Sequence, residues 1–330
     1  MQRNFSTKEL GFTAPQNEQI EMALTYEFTS IDFDITEFGR QVQSRGMEIA
    51  RRLIDSAEHL GIGTFRLPFA LNEPDGVYSS EMQRLPALGR AAQEIAAQRC
   101  VSVVKPFSDS LSMQENFELH RKRAAEVAAA LGECGIKFGL EFVAPASARE
   151  GKTHAFIHTF DELLTLVDGL PNVGVVIDAW QLYASGVGAE VLQKVNVDNI
   201  VCVRLGDAPP DVAAADLTLQ NRFLPAESGT VDCTAFVKQL EAMGYEGPIT
   251  PMCDGGNFRG ERRDQVAEMA GMRMNTVWVD AGLAEPEPES LYSPMAQAEE
   301  EGEGEDNAEA SANGETEAAE SEKQTEAANA

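Results

Sequence analysis

The sequence predicts an α/β fold, a single (β/α)₈ TIM barrel over residues 1–283 with a disordered acidic C-terminal tail over 284–330. Three observations predict it. Short apolar runs alternate with helical stretches about eight times along the chain. Runs such as CVSVVKP, VGVVID and IVCVRL are apolar at nearly every position, as strands are in a parallel sheet covered by helices. Eight such units closed into a barrel take roughly 250 residues, which matches the span to Leu283. An open doubly wound sheet would also alternate strand and helix. No Gly-rich phosphate loop follows the first strand, so that alternative ranks lower.

The elements follow in order. Leu10 to Thr13 opens the series as a weak first strand, and Ser30 to Ile35 (SIDFDI) alternates as the second. Apolar residues at helical spacing run from Glu37 to Leu60 and stop at Gly61. GTFRLPF, Gly63 to Phe69, is the third strand, with a helix from Ser80 to Arg99. The fourth strand is Cys100 to Pro106, with a helix from Glu115 to Cys134. Lys137 to Val143 and Val173 to Asp178 are strands five and six, separated by a helix at Phe160 to Val167. A short helix at Glu190 to Val195 precedes strand seven, Ile200 to Leu205. Strand eight, Pro248 to Met252, lies between helices at Thr234 to Met243 and Gln265 to Ala281.

The charge is uneven. The chain carries a net −28, and residues 285–330 hold 15 acidic residues against one lysine, half of the total. Such a segment lacks the large apolar residues needed to offset chain entropy, and it reads as a solvated tail. The acidic surface has no basic stripe, so nucleic acid and anionic membranes are not expected partners. No run approaches the length of a membrane span. The N-terminus lacks the apolar core of a signal peptide, and five scattered cysteines form no CxxC pair. These features point to reduced thiols and a cytoplasmic protein. Homo-oligomerisation stays open.

In a barrel of this kind the chemistry sits at the C-terminal ends of the strands. Those ends carry Arg66, Lys105, Glu141, Asp178, Arg204 with Asp207, and Met252 followed by Cys253 and Asp254. Glu141 and Asp178 stand out, since each is a carboxylate within an apolar strand. One such group is ordinarily a satisfied structural residue. Two on neighbouring strands at one mouth need a cation, a shared proton or an arginine.

The motifs GLEFVAP, FIHTFDELLTLV, NVGVVIDAWQLYASG, VRLGDAP, NRFLPAESGTVD and GYEGPIT occur in this order. Together they resemble the xylose-isomerase-like sugar phosphate isomerase/epimerase family. The resemblance implies a divalent metal, Mn²⁺ or Mg²⁺, held by a Glu on strand five, an Asp on strand six, a His on strand seven and a Glu on strand eight. It further implies proton transfer next to a sugar carbonyl. Carried over, the first two are Glu141 and Asp178. The strand-seven position is Arg204, the strand-eight position is Met252 or its neighbour, and a substrate-contacting His after strand six is Gln181. Arginine cannot ligate a metal, and a thioether suits Mn²⁺ or Mg²⁺ poorly. The expected site therefore has Glu141 as catalytic residue and Lys105, Gln181, Arg204 and Asp207 as ligand contacts. Glu141 and Asp178 remain from a metal site, with Arg204 in salt-bridge reach of one or both. Two functions follow. One is a sugar or sugar-phosphate isomerase or epimerase, using a divalent metal if the site is active. The other is a metal-free, catalytically inactive sugar-binding or regulatory homologue with no cofactor. The ligand in both is a small carbohydrate-like molecule, and whether the chain is an enzyme stays open.

Overall fold

The computed structural model describes residues 1–45 and 60–285. The remainder of the expected second helix, 46–59, and the expected tail from 286 onward lie outside the described residues. The strands in chain order are β1 (Gln2–Phe5), β2 (Ser30–Ile31), β3 (Gly61–Ile62), β4 (Phe65–Arg66), β5 (Arg99–Val103), β6 (Phe107–Ser108), β7 (Lys137–Glu141), β8 (His154–Ala155), β9 (Val173–Asp178), β10 (Ile200–Leu205) and β11 (Pro248–Pro251).

One sheet runs β3-β2-β1-β11-β10-β9-β7-β5-β4, with every pairing parallel. Its two end strands, β3 and β4, are separated in the chain by Gly63 and Thr64 alone. They are two halves of one stave, so the sheet closes on itself into eight staves. The amide of Gly63 donates to Ile31 on one side and that of Leu67 to Val101 on the other, 2.9 Å each. β6 and β8 form a separate antiparallel pair outside the barrel. Helices Gln16–Thr25, Ile35–Arg45, Asp75–Glu94, Met113–Gly132, Phe160–Val167, Cys233–Ala242 and Arg263–Asp280 connect the staves. No helix among the described residues is long and apolar enough to cross a membrane.

The first strand differs from its sequence reading. Residues 7–11 form a turn, 12 and 13 have no regular structure, and the strand is Gln2–Phe5, upstream of Gly11. The reason is that β1 has no apolar run. Its Asn4 side chain donates to Thr250 on β11 (2.9 Å) and to Asp32 (2.8 Å), and accepts from Ser30 on β2 (2.9 Å). Gly63 is required opposite it, because any β-carbon there would run into the Asn4 amide. This side of the barrel interior is thus polar. The other side is apolar, a layer of Val101, Val176, Val201 and Cys202 distinct from the main core. A register shift between Ile200 and Cys202 accompanies it, and Gly139 leaves the space that Val201 fills.

The strands β9 and β10 and the helix Phe160–Val167 lie where their patterns place them. That helix is fixed by a capping box: the Thr159 hydroxyl accepts from the Glu162 amide, and the Glu162 carboxylate accepts from the Thr159 amide. The short helix expected at Glu190 to Val195 is a 3₁₀ segment, Ala189–Lys194. A helix at Ala179–Ala184 begins directly after β9, with Asp178 as its cap. The sequence pattern does not predict it, because its first four residues are all buried and no amphipathic stripe appears.

Candidate functional site

The C-terminal ends of β4, β7, β9 and β10 bring charged groups to one mouth, above the valine layer. The turn after β1 adds another. Its Glu9 is 3% exposed, and its carbonyl accepts from the Cys253 amide at 3.1 Å, which ties the turn to the segment after β11.

Arg204, on β10, is 2% exposed and lies between two carboxylates. Its Nη1 contacts Glu141 Oε2 directly, and its Nη2 lies 3.2 Å from Glu9 Oε1. Arg66, on β4, donates to the same Glu9 oxygen through Nε at 3.2 Å and Nη2 at 2.6 Å. Asp178 has a different partner. Arg222, carried back to the mouth by the long loop after β10, reaches Asp178 Oδ2 through Nη1 at 2.8 Å. The same nitrogen contacts the Met252 sulfur, and the guanidinium lies over the Trp180 ring, 4.6 Å from its centroid. Three carboxylates and three guanidiniums therefore interlock at the mouth. Two buried atoms in it lack a hydrogen-bond partner among the described residues, Glu9 Oε2 and Arg222 Nη2.

The arrangement drives the carboxyls apart in acidity. Burial favours the neutral form of Glu9, but Arg204 and Arg66 outweigh it and hold the group below its ordinary range. Burial pushes Glu141 up to about 7 against the pull of Arg204, with Asp178 adding to the rise. Burial also raises Asp32, with Glu9 reinforcing it, against hydrogen bonds from Thr64 and Asn4. Burial works against the charge on Arg204, yet Glu141 and Glu9 more than compensate, and it keeps its proton more firmly than a free arginine. Glu9 is thus held as the stronger acid of the two, and Glu141 as the weaker.

The structure brings Glu141, Arg204 and Asp178 together, although Arg204 meets Glu141 and Glu9, and the partner of Asp178 is Arg222. Gln181 sits at the mouth, but its Oε1 accepts from the Ala144 amide at 2.8 Å and its backbone donates to Asp178 Oδ1 at 3.1 Å. It couples the segment after β7 to the end of β9. Asp207 is fully buried and accepts four backbone N–H bonds, from Ala208, Val231, Ser228 and Gly229, at 2.7–2.8 Å. Both its oxygens are occupied in folding the loop that carries Arg222. Lys105 is exposed on the rim, with its ammonium 4.3 Å from the Phe107 centroid. Sequence reasoning missed Glu9 and Arg222. Arg222 lies inside the motif NRFLP, whereas Glu9 follows a strand that carries no apolar signal. No cluster of three or more His, Cys, Asp or Glu able to hold a metal exists among the described residues.

The family described as xylose isomerase-like TIM barrel matches residues 4–272. The chain is 25% identical to an inosose isomerase of Halalkalibacterium halodurans over 118 residues, 35% of its own length. It spans only 39% of that relative's length. A xylose isomerase domain protein from Alicyclobacillus acidocaldarius shares the fold with a TM-score of 0.76 and 21% identity, over 86% of this chain and 99% of that one. The IolI protein, solved with a bound zinc atom, gives a TM-score of 0.70 at 15% identity, over 87% and 100% of the two chains.

Proposed function

Within the xylose isomerase-like TIM-barrel family, to which this chain belongs, we propose a protein that binds a small carbohydrate-like ligand at the barrel mouth and works there without a divalent metal. One observation carries the reading. Guanidiniums stand against both carboxylates of the implied metal site, Arg204 on Glu141 and Arg222 on Asp178. A guanidinium has no lone pair to offer a cation and repels it at this range. Mn²⁺ and Mg²⁺ want hard oxygen ligands, and the position just after β11 presents the Met252 thioether. The residues present therefore do not fit the metal. The carbohydrate-like ligand rests on the family and on the inosose isomerase segment.

In this reading Glu141 is the group that moves a proton. As a carboxylate it removes a proton from the carbon beside the ligand's carbonyl. The electron pair moves onto the carbonyl oxygen, and a guanidinium at the mouth stabilises the charge formed there. The protonated Glu141 then returns the proton to one of the two carbons. The experiment follows exchange of that C–H in D₂O by proton NMR, with chelator-treated protein and either D-fructose or an inosose. Exchange should persist in chelator and vanish in Glu141→Gln, and elemental analysis should find no stoichiometric Mn, Zn or Mg. Tight stoichiometric Mn²⁺ binding, lost in Glu141→Ala, would overturn the reading. The direct contact of Arg204 with Glu141 favours a second reading, binding without turnover. Protection against thermal unfolding by these probes, with no exchange, would identify it.

A further inference from the structure

The three mouth carboxylates are not equivalent. Glu141 and Asp178 stand on barrel strands, whereas Glu9 comes from the turn after β1. One of its oxygens, Oε1, takes every hydrogen bond the group makes, from Nε and Nη2 of Arg66, and also lies 3.2 Å from Nη2 of Arg204. The other, Oε2, is buried and has no partner among the described residues. A buried carboxylate oxygen without a donor costs desolvation that nothing at this position repays. The orphan therefore points to a donor from outside the chain. An uncharged donor fits best, because each guanidinium at the mouth already has a carboxylate partner within the chain. Arg66, Arg204 and Arg222 face Glu9, Glu141 and Asp178, with exposed Lys8 and partly open Asp32 beside them.

We infer that Glu9 is a ligand-recognition residue, whose Oε2 accepts a hydroxyl of an uncharged polyhydroxylated ligand and whose charge excludes phosphorylated ones. The inference rests on the reading above that the mouth takes a carbohydrate-like molecule. It goes further in naming the residue and in choosing between a sugar and a sugar phosphate. A hydroxyl donates one hydrogen bond and needs no counter-charge. A phosphate ester would bring two negative charges to a site whose guanidiniums are already matched one for one, and it would face Glu9 directly. Removing the Glu9 charge should reverse this, since it uncovers one guanidinium charge within a few ångströms of the ligand. At the effective dielectric of a buried site, one such charge changes anion affinity by on the order of tenfold or more.

The test uses the full chain, with D-fructose and myo-inositol as neutral probes and D-fructose 6-phosphate as the charged one. Calorimetry and thermal protection should show at least one neutral probe binding more tightly than the phosphate ester. In Glu9→Gln, which keeps the shape of the side chain, neutral binding should weaken while the phosphate ester gains about tenfold or more. If that variant does not fold, the order of the probes on the unmodified protein decides the matter. Three results would overturn the inference: tighter binding of D-fructose 6-phosphate by the unmodified protein, an order unchanged in a folded Glu9→Gln, or no binding of either neutral probe. The metal-free reading fails separately, through retained Mn²⁺, whichever way the probes rank.

Discussion

Removing the Arg204 guanidinium should destabilise the protein in a way that grows with pH. Arg204→Met keeps the length and most of the volume of the side chain while leaving Glu141 buried with no charge partner. In the unmodified protein Glu141 holds its proton up to about 7, against an ordinary value of 4.5. A folded-state pKa above the unfolded one stabilises the fold at low pH, and that contribution fades as pH rises through the folded value. Between 4.5 and 7 both proteins lose stability together, because in both the folded carboxyl stays protonated. Above about 7 the unmodified protein stops losing, since Glu141 ionises against Arg204. The variant cannot ionise Glu141 favourably, and it goes on losing about 1.4 kcal/mol per pH unit. From pH 7 to 8.5 the gap should therefore widen by roughly 2 kcal/mol. That corresponds to about 4 °C or more in melting temperature for a barrel of this size. The assay is thermal unfolding followed by circular dichroism at pH 6 and pH 8.5. A second substitution, Glu141→Met, should close most of the gap at pH 8.5, because an apolar pair can replace a buried ion pair at little cost. A penalty independent of pH, or a double variant no better than Arg204→Met, would refute the reasoning.

His120, buried in the helix Met113–Gly132, has its pKa lowered by burial from 6.5 to about 4. Its neutral form stabilises the fold above 6.5, and the contribution is lost as pH falls toward 4, on the order of 3 kcal/mol in all. His120→Phe should flatten stability over that interval in denaturant titrations at pH 4, 5 and 7, despite losing the bond to the Asn116 carbonyl. Asp207→Asn puts an NH₂ against backbone donors, so two of four hydrogen bonds are lost. It should cost about 2–5 kcal/mol in urea unfolding and raise hydrogen exchange in the loop carrying Arg222, an effect that Lys105→Ala should not produce. Measurable Mn²⁺ affinity should require three changes together, Arg204→His, Met252→Glu and Arg222→Gln. With Arg222 in place, its Nη1 would claim the new carboxylate, and isothermal titration of the double variant should show little binding.

The fold was legible wherever burial on two sides forced an apolar run. β5, β7, β9 and β10 have the interior of the barrel on one face and helices on the other, and between their first residues and the mouth Ser102 on β5 is the one polar side chain. The polar exceptions at their ends, Glu141, Asp178 and Arg204, were visible for that very reason: a charge in an apolar strand has to be answered by another charge. β1 obeys the opposite logic. Its inward residue Asn4 is held by Thr250, Asp32 and Ser30, partners up to 246 positions away in the chain, so no local pattern betrays the strand. Missing β1 also hid Glu9, since a residue is read as belonging to the mouth only after the strand before it is placed.

Arg222 was concealed differently. It lies on a loop whose course is set by Asp207, through four backbone bonds that bridge 1 to 24 residues. Spacing cannot show where such a loop returns. Charge could have hinted at it. Arg204 alone cannot neutralise Glu141 and Asp178 together, and once it turns toward Glu9 the need for another cation is plain. A buried set of carboxylates implies its own number of guanidiniums, and counting one against the other is a constraint that a sequence carries before any strand is assigned. Applied to this chain, the constraint gives each mouth guanidinium a carboxylate, and among the described residues one carboxylate oxygen and one guanidinium nitrogen stay unpartnered. An acceptor and a donor left over at a mouth whose guanidiniums are already paired suit a hydroxyl-bearing ligand, which can serve both.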